Sequence, residues 1–122
     1  MVEGVATLVV DLGNSETRVE TFYGRTQRGN LRKRITLLSN MFGRFKDNQS
    51  YSNIMSNAEY SEENSRVFKL NDEIYCTGLM QETEFTSSVL RPSGRVKKYD
   101  AIESKLAICN ALCQGYEDIA YW

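Results

Sequence analysis

Apolar and polar residues alternate along the first third of the chain in patterns that predict three β-strands. Residues 5–10, VATLVV, are apolar and mostly β-branched, which is typical of a strand buried on both faces. Residues 17–23 alternate and predict a second strand, which the turn sequence DLGNSE joins to the first as a hairpin. Residues 34–40, RITLLSN, predict a third strand. The chain is therefore expected to begin as a series of sequential strands.

Polar segments separate these strands from the rest of the chain. Residues 46–65 are dominated by Asn, Ser, Glu and Tyr without an apolar period, and we expect a long loop there. Residues 65–76 predict a further hairpin about Asn71-Asp72, whose second arm ends at Gly78. Turns are also predicted at two glycine-bearing segments, 24–30 and 92–94.

Residues 99–116 carry the clearest helical pattern. Asp100 suits the positive end of the helix dipole, and Gly115 is placed where a helix stop is expected. With the strands, this helix predicts an α/β fold, in which a mixed sheet of about five strands, mostly hairpins, has the C-terminal helix packed on it. The predicted buried face follows spacings of three and four residues and comprises Ile102, Leu106, Cys109, Cys113 and Tyr116.

Length and composition limit the classes of protein to consider. The 122 residues fit one domain spanning 1–122, and a composition of 41% hydrophobic and 25% charged residues is that of a globular protein. No apolar run approaches the roughly 20 residues of a membrane span, so we expect no membrane partner. The three cysteines include no CxxC pair and give no closed disulfide framework, which favours a reducing, cytoplasmic location.

Charge and the absence of histidine exclude several functions. The net charge is −1, and the lack of histidine removes Ser-His-Asp and Cys-His catalysis and imidazole-ligated zinc. The charge is unevenly distributed, since residues 25–46 hold seven basic residues and no acidic one. A solvated surface is the ordinary interpretation of this basic segment. A filament contact and a direct nucleic-acid contact are the alternatives.

The sequence VVDLGNSETR, residues 9–18, carries the clearest candidate chemistry. A strand delivers Asp11 into a tight turn, where Gly13 permits backbone conformations closed to other residues and leaves room for a ligand. Successive N–H groups over 13–17 can converge on an anion, and Arg18 adds a permanent positive charge. Asp11 suits a hydrated Mg²⁺ lying between its carboxylate and a phosphate. An ordinary hairpin is the alternative.

The strand–Asp-x-Gly-x-x-x-Thr–strand pattern resembles the first phosphate motif of the actin, Hsp70 and sugar kinase superfamily. Its DLGN form is most similar to bacterial actin-like proteins of the ParM/StbA type, which segregate plasmids and occur in phages. Residues 36–40, 67–78 and 98–112 resemble later segments of that group. The resemblance implies a ribonuclease H-like actin subdomain within an ATPase that forms filaments for DNA segregation or positioning. It also implies self-association and a DNA-bound adaptor protein as a partner.

The resemblance also implies roles for individual residues. Asp11 would be the catalytic carboxylate that holds Mg²⁺ through water. Arg18 stands where actin has a phosphate-binding lysine, and this departure leaves its role open. The β- and γ-phosphates of ATP would be contacted by the backbone N–H groups of the turn and by its side-chain donors, within Gly13, Asn14, Ser15, Glu16 and Thr17.

Several parts of an actin-like ATPase are missing from these 122 residues. No second Asp-x-Gly motif follows residue 13, and no glycine pair suits an adenosine. We therefore expect an incomplete, N-terminal portion of such an ATPase, inactive alone and with weak or no binding of ATP and Mg²⁺. The alternative function is a non-enzymatic, truncated interaction module that caps filaments or binds a protein partner.

Overall fold

A computed structural model of the chain describes residues 6–24, 32–85, 89–90 and 101–121. Of the turns predicted over 24–30 and 92–94, only Gly24 lies within these ranges. Within them, no helix is both long and apolar enough to cross a membrane. The elements are β1 (Ala6–Leu12), β2 (Glu16–Tyr23), β3 (Arg32–Ser39), β4 (Phe42–Arg44), α1 (Asn48–Met55), β5 (Ser65–Leu70), β6 (Glu73–Gly78), α2 (Leu79–Glu84), β7 (Val89–Leu90) and α3 (Ile102–Tyr121).

The first sheet is the antiparallel meander β1-β2-β3, which contains the three strands predicted in this part of the chain. Thr17, Val19 and Thr21 of β2 are fully buried beneath α3, because alternate strand residues point to the same face. The register pairs Leu12 with Thr17, so β1 and β2 are joined by a short turn at the DLGN sequence. The predicted first hairpin is therefore confirmed.

The opposite face of this sheet remains exposed, and we call it the open face. Val9 is 45% exposed and Leu37 is 62% exposed, although both are large and apolar. The prediction that β1 is buried on both faces is therefore wrong, since α3 covers only one side. The open face consists of Thr7, Val9, Asp11, Arg18, Glu20, Phe22, Lys33, Ile35 and Leu37.

The second sheet has the order β5-β6-β4-β7. Its β5–β6 hairpin turns at Asn71 and Asp72, both in the left-handed region with φ of 52° and 64°, as suits these residue types. Gly78 ends β6 with a φ of 89°, so this predicted hairpin is confirmed together with its end. The short strands β4 and β7 and the helix α2 were not predicted, because two- to six-residue elements carry too little periodicity.

A helix lies inside the segment 46–65, where one long loop was predicted. Asp47 caps α1 by accepting a hydrogen bond from the Ser50 N–H at 2.7 Å, and this bond lowers the pKa of the Asp47 carboxyl. The ring of Tyr51 packs edge-on against Phe45 at 5.4 Å between centroids. The prediction of an unbroken loop is wrong here, because the helix depends on a capping residue and on the packing of Tyr51 and Ile54 rather than on a repeated apolar pattern.

The C-terminal helix α3 is confirmed, but it differs from the prediction in two ways. It runs through Gly115 to Tyr121 instead of stopping near residue 115. A Cβ at Gly115 would lie 2.8 Å from Leu8 Cδ1, so this glycine permits close packing of α3 on β1. Tyr116, which was assigned to the buried face, is 74% exposed.

The coarse fold prediction, a mixed α/β chain of hairpins with a C-terminal helix packed on a sheet, is confirmed. The described strands divide between two antiparallel sheets instead of forming one mixed sheet of about five strands. A buried cluster of Phe42, Tyr75, Leu106 and Ala107 joins the second sheet to α3. Leu12 at the end of β1 packs against this cluster, so the core lies directly beneath the DLGN turn.

Candidate functional site

The DLGN turn is a three-residue connection between β1 and β2. β1 ends at Leu12 and β2 begins at Glu16, which leaves Gly13, Asn14 and Ser15 in the loop. The Gly13 N–H donates to the Glu16 carbonyl oxygen at 3.0 Å and closes the turn. The Gly13 N–H, one of the groups predicted to contact phosphate, is therefore hydrogen-bonded to the turn itself.

Gly13 is required for a different reason from the one predicted. Its φ is not in the left-handed region, unlike those of Gly24 and Gly78. A Cβ on Gly13 would lie 2.5 Å from the Glu16 carbonyl oxygen, a backbone atom that cannot move without opening the turn. Glycine is thus needed for close approach, and the predicted unusual backbone conformation does not occur.

Asn40, which directly follows β3, anchors the turn from below. Its side chain is fully buried, accepts a hydrogen bond from the Thr17 hydroxyl at 2.7 Å and donates to the Gly13 carbonyl oxygen at 2.8 Å. Its backbone N–H donates to the Ser15 carbonyl oxygen at 2.9 Å. Sequence patterns do not place Asn40 in this site, because its side-chain hydrogen bonds join residues more than twenty positions apart.

The hydroxyl of Thr17 serves this anchor rather than the outer surface. Thr17 is fully buried and its hydroxyl hydrogen bond goes to Asn40, so it does not face an external ligand in this structure. The predicted side-chain donors are therefore split between two layers. Asn14, Ser15 and Glu16 are exposed above the turn, whereas Thr17 lies beneath it.

The groups that face outward at the turn have no bonding partner among the described residues. The Asp11 carboxylate is exposed and makes no hydrogen bond or ion pair within those ranges. The backbone N–H groups of Asn14 and Ser15, adjacent in the loop, are likewise unpaired within them. The turn thus presents one carboxylate and two neighbouring N–H donors on a firmly anchored backbone.

Arg18 is turned away from the loop by an ion pair. Its guanidinium lies 2.9 Å from the Glu20 carboxylate, two residues further along β2. Asp11 is the cross-strand neighbour of Arg18, but the guanidinium forms its ion pair with Glu20. The structure therefore brings Asp11 and residues 13–16 together at one end of the sheet and directs Arg18 along the open face.

The Asp11 carboxylate and the N–H groups of Asn14 and Ser15 are an arrangement that can bind an anion weakly, and the metal ion that it suits is Mg²⁺. The described residues contain no group of three or more His, Cys, Asp or Glu side chains that could hold a metal directly. A single carboxylate such as Asp11 is sufficient for Mg²⁺, which keeps several waters and takes further ligands from phosphate oxygens. Two adjacent N–H groups can contact those same phosphate oxygens.

The basic segment 25–46 is only partly described, and several of its charges are already engaged. Arg34 lies 3.5 Å from the buried Asp118 carboxylate, and Arg44 lies 3.6 Å from Glu73. The Lys33 ammonium sits 5.4 Å from the centre of the Phe22 ring. These contacts favour a structural use for this part of the segment, while the predicted nucleic-acid contact stays a prediction.

A buried polar network holds α3 against the sheet behind the turn. Asp118 is 1% exposed and accepts hydrogen bonds from Thr21 Oγ1 and Gln114 Nε2, each at 2.9 Å. The same helix holds Arg66 of β5 through Asn110 Oδ1 at 2.7 Å and Gln114 Oε1 at 2.8 Å. Because these polar groups sit within an otherwise apolar face, the helical periodicity did not identify them.

A cavity of about 490 Å³ lies away from the turn, between β5, α3 and the end of α1. Its walls include Met55, Val67, Phe68 and Met80, and no residue of the DLGN turn lines it.

Comparison with known proteins gives the chain no relative, since no family model, curated protein or solved structure matches it.

Proposed function

We propose that the DLGN turn is a magnesium–phosphate-binding element and that the chain is the N-terminal, phosphate-binding portion of an actin-like ATPase. The observation that carries the proposal is the unpaired Asp11 carboxylate beside the unpaired N–H groups of Asn14 and Ser15. The Asn40 anchor and the close approach at Gly13 support the proposal, because they fix the backbone that carries these N–H groups.

The strand and helix order supports the same proposal. Three sequential antiparallel strands with a helix packed on one face support it, while the ribonuclease H-like arrangement that the resemblance implies is part of the proposal. In the complete protein, bound Mg²⁺ would neutralise phosphate charge and polarise the transferred group. Asp11 would hold that ion through water, and the N–H groups over 13–16 would orient the phosphates.

The isolated chain is expected to bind phosphate weakly and to be catalytically inactive. Two N–H groups and one ion offset little of the cost of immobilising a ligand, so we expect a dissociation constant of about 1 mM or weaker for Mg-ATP. Filament formation with ATP and attachment to DNA through an adaptor protein belong to the complete ATPase in this proposal.

Amide chemical shifts of the ¹⁵N-labelled chain test the proposal residue by residue. Addition of Mg-ATP should shift the amides of Asn14 and Ser15 first, and Asp11→Asn should remove most of that shift. Asp72→Asn is the matched control, because Asp72 is an exposed carboxylate in the other described hairpin turn. Equal loss in both variants, or shifts confined to other regions, would contradict the proposal, as would micromolar binding or steady hydrolysis by this chain.

A second candidate function is a non-enzymatic module that binds a protein partner. The open face favours it, because the large apolar residues Val9, Ile35 and Leu37 are exposed on one side of the sheet. Sedimentation of the chain over a range of concentrations, alone and with actin-like filaments, tests this function. A strict monomer that binds no filament would contradict it.

A further inference from the structure

We propose that the open face pairs with the open face of a second copy of this chain, through a two-fold axis that runs across the strands. This inference rests on the second candidate function. It does not require the turn to bind phosphate, although the pairing covers Asp11, which belongs to the open face. A second copy of the chain is the one binding partner proposed for the open face, and the proposal follows from the charges on that face together with the strand register.

The register arranges the open face in rows across the three strands. One row is Val9, Glu20 and Ile35, and the next row contains Arg18 and Leu37 with Asp11. The central residues of the two rows, on β2, carry opposite charges, and the second row carries a further negative charge at Asp11 on β1. On β3, each row carries an exposed aliphatic residue, since Ile35 is 46% and Leu37 is 62% exposed.

A two-fold axis midway between these rows places each row over the other row of the second copy. Glu20 then faces Arg18 of the other chain, and Arg18 faces Glu20, so two opposite-charge contacts form at the centre. Ile35 and Leu37 face each other in the same reciprocal way and bury their exposed surface. Val9 and Asp11 face each other on β1, which is an edge strand of this sheet. The Arg18–Glu20 ion pair within each chain, at 2.9 Å, already holds both charged groups near the position that this pairing needs.

The size of the face sets the expected strength. Strands of 7 to 8 residues cover roughly 24 Å by 14 Å at the usual rise and strand spacing. Two such faces bury roughly 700 Å², which is below the size of a stable standard interface. We therefore expect a weak dimer, with a dissociation constant on the order of 100 μM.

Sedimentation equilibrium with charge-exchanged variants tests this pairing. Arg18→Glu and Glu20→Arg each place like charges opposite one another in a self-pair, so each should weaken association at least about tenfold. An equimolar mixture of the two variants restores opposite charges at both central contacts. It should associate within about threefold of the wild type.

A substitution at an exposed apolar residue tests the pairing even if Arg18→Glu or Glu20→Arg fails to fold. Leu37→Glu should abolish dimerisation, whereas Leu112→Glu, a 46% exposed leucine on α3, should leave it unchanged. A dimer unaffected by the charge exchange and by Leu37→Glu overturns this pairing, but it remains consistent with a module that binds a protein partner. A monomer at every concentration that still binds filaments also overturns the pairing alone, and one that binds no filament overturns both.

Discussion

Replacing Asn40 by Ala tests whether the DLGN turn is anchored from below as described. The change removes the acceptor of the Thr17 hydroxyl at 2.7 Å and the donor to the Gly13 carbonyl oxygen at 2.8 Å. Asn40 and Thr17 are both fully buried, so water cannot replace these partners without a rearrangement of the turn. The backbone N–H of Asn40, which donates to Ser15, is unchanged.

The expected loss of stability follows from the two hydrogen bonds and the group left behind. Each lost hydrogen bond costs about 1 kcal/mol, and an unsatisfied buried hydroxyl adds roughly another 1 kcal/mol, for a total of about 3 kcal/mol. Thr17→Val, which replaces the hydroxyl by a methyl group, should cost about 1–2 kcal/mol. The double variant loses the same two hydrogen bonds but leaves no buried hydroxyl unsatisfied, so it should cost about 2 kcal/mol and be more stable than the sum predicts by about 2–3 kcal/mol.

Urea denaturation followed by circular dichroism measures the four proteins of this cycle. Asn53→Ala, on exposed α1, is the control partner for Thr17→Val, because the two side chains share no hydrogen bond and their effects should add. Additivity of Asn40→Ala and Thr17→Val within about 0.3 kcal/mol would refute the anchor, since uncoupled sites behave in that way.

The described contacts lead to expected outcomes for two further substitutions and for one labelling experiment. Asp118→Ala should lower the free energy of unfolding by about 2–4 kcal/mol, whereas Ala at the exposed neighbour Glu117 should cost less than about 1 kcal/mol in the same urea titration. Burial raises the pKa of the Cys76 thiol to about 12. The thiol is therefore protonated at neutral and mildly alkaline pH, and a thiol reagent should label Cys76 only as the protein unfolds, as timed mass spectrometry would show. Gly13→Ala should cost about 2 kcal/mol by urea denaturation and shift the turn amides, because its Cβ meets the Glu16 carbonyl oxygen; a neutral effect would contradict the close approach.

Local patterns were sufficient to predict the two main hairpins and the last helix. Alternation along 17–23 requires only neighbouring residues, and Asn71-Asp72 suits the left-handed turn that it forms. The candidate turn at Asp11 to Ser15 was found in the same way, from a strand followed by turn residues. Its chemical role stays a prediction.

Features that depend on distant residues could not be predicted from these patterns. The Asn40 anchor joins residues 27 positions apart, and the buried Asp118 contacts Thr21 across 97 positions. Gly115 looks like a helix stop until β1 is packed against it. The exposure of Val9 depends on which sheet face α3 covers, and an apolar strand sequence does not contain that information.

The dependence of phosphate affinity on Mg²⁺ tests whether Asp11 holds Mg²⁺ beside a phosphate bound at the DLGN turn. The ¹⁵N shifts of Asn14 and Ser15 would be followed during titration with pyrophosphate, with and without Mg²⁺, in the wild type and in Asp11→Asn. We expect Mg²⁺ to tighten binding in the wild type and to have no effect in Asp11→Asn. Without Mg²⁺, Asp11→Asn should bind more tightly than the wild type, because the repulsive carboxylate is gone. Affinity that ignores Mg²⁺ in the wild type, or that falls on Asp11→Asn without Mg²⁺, would contradict the claim.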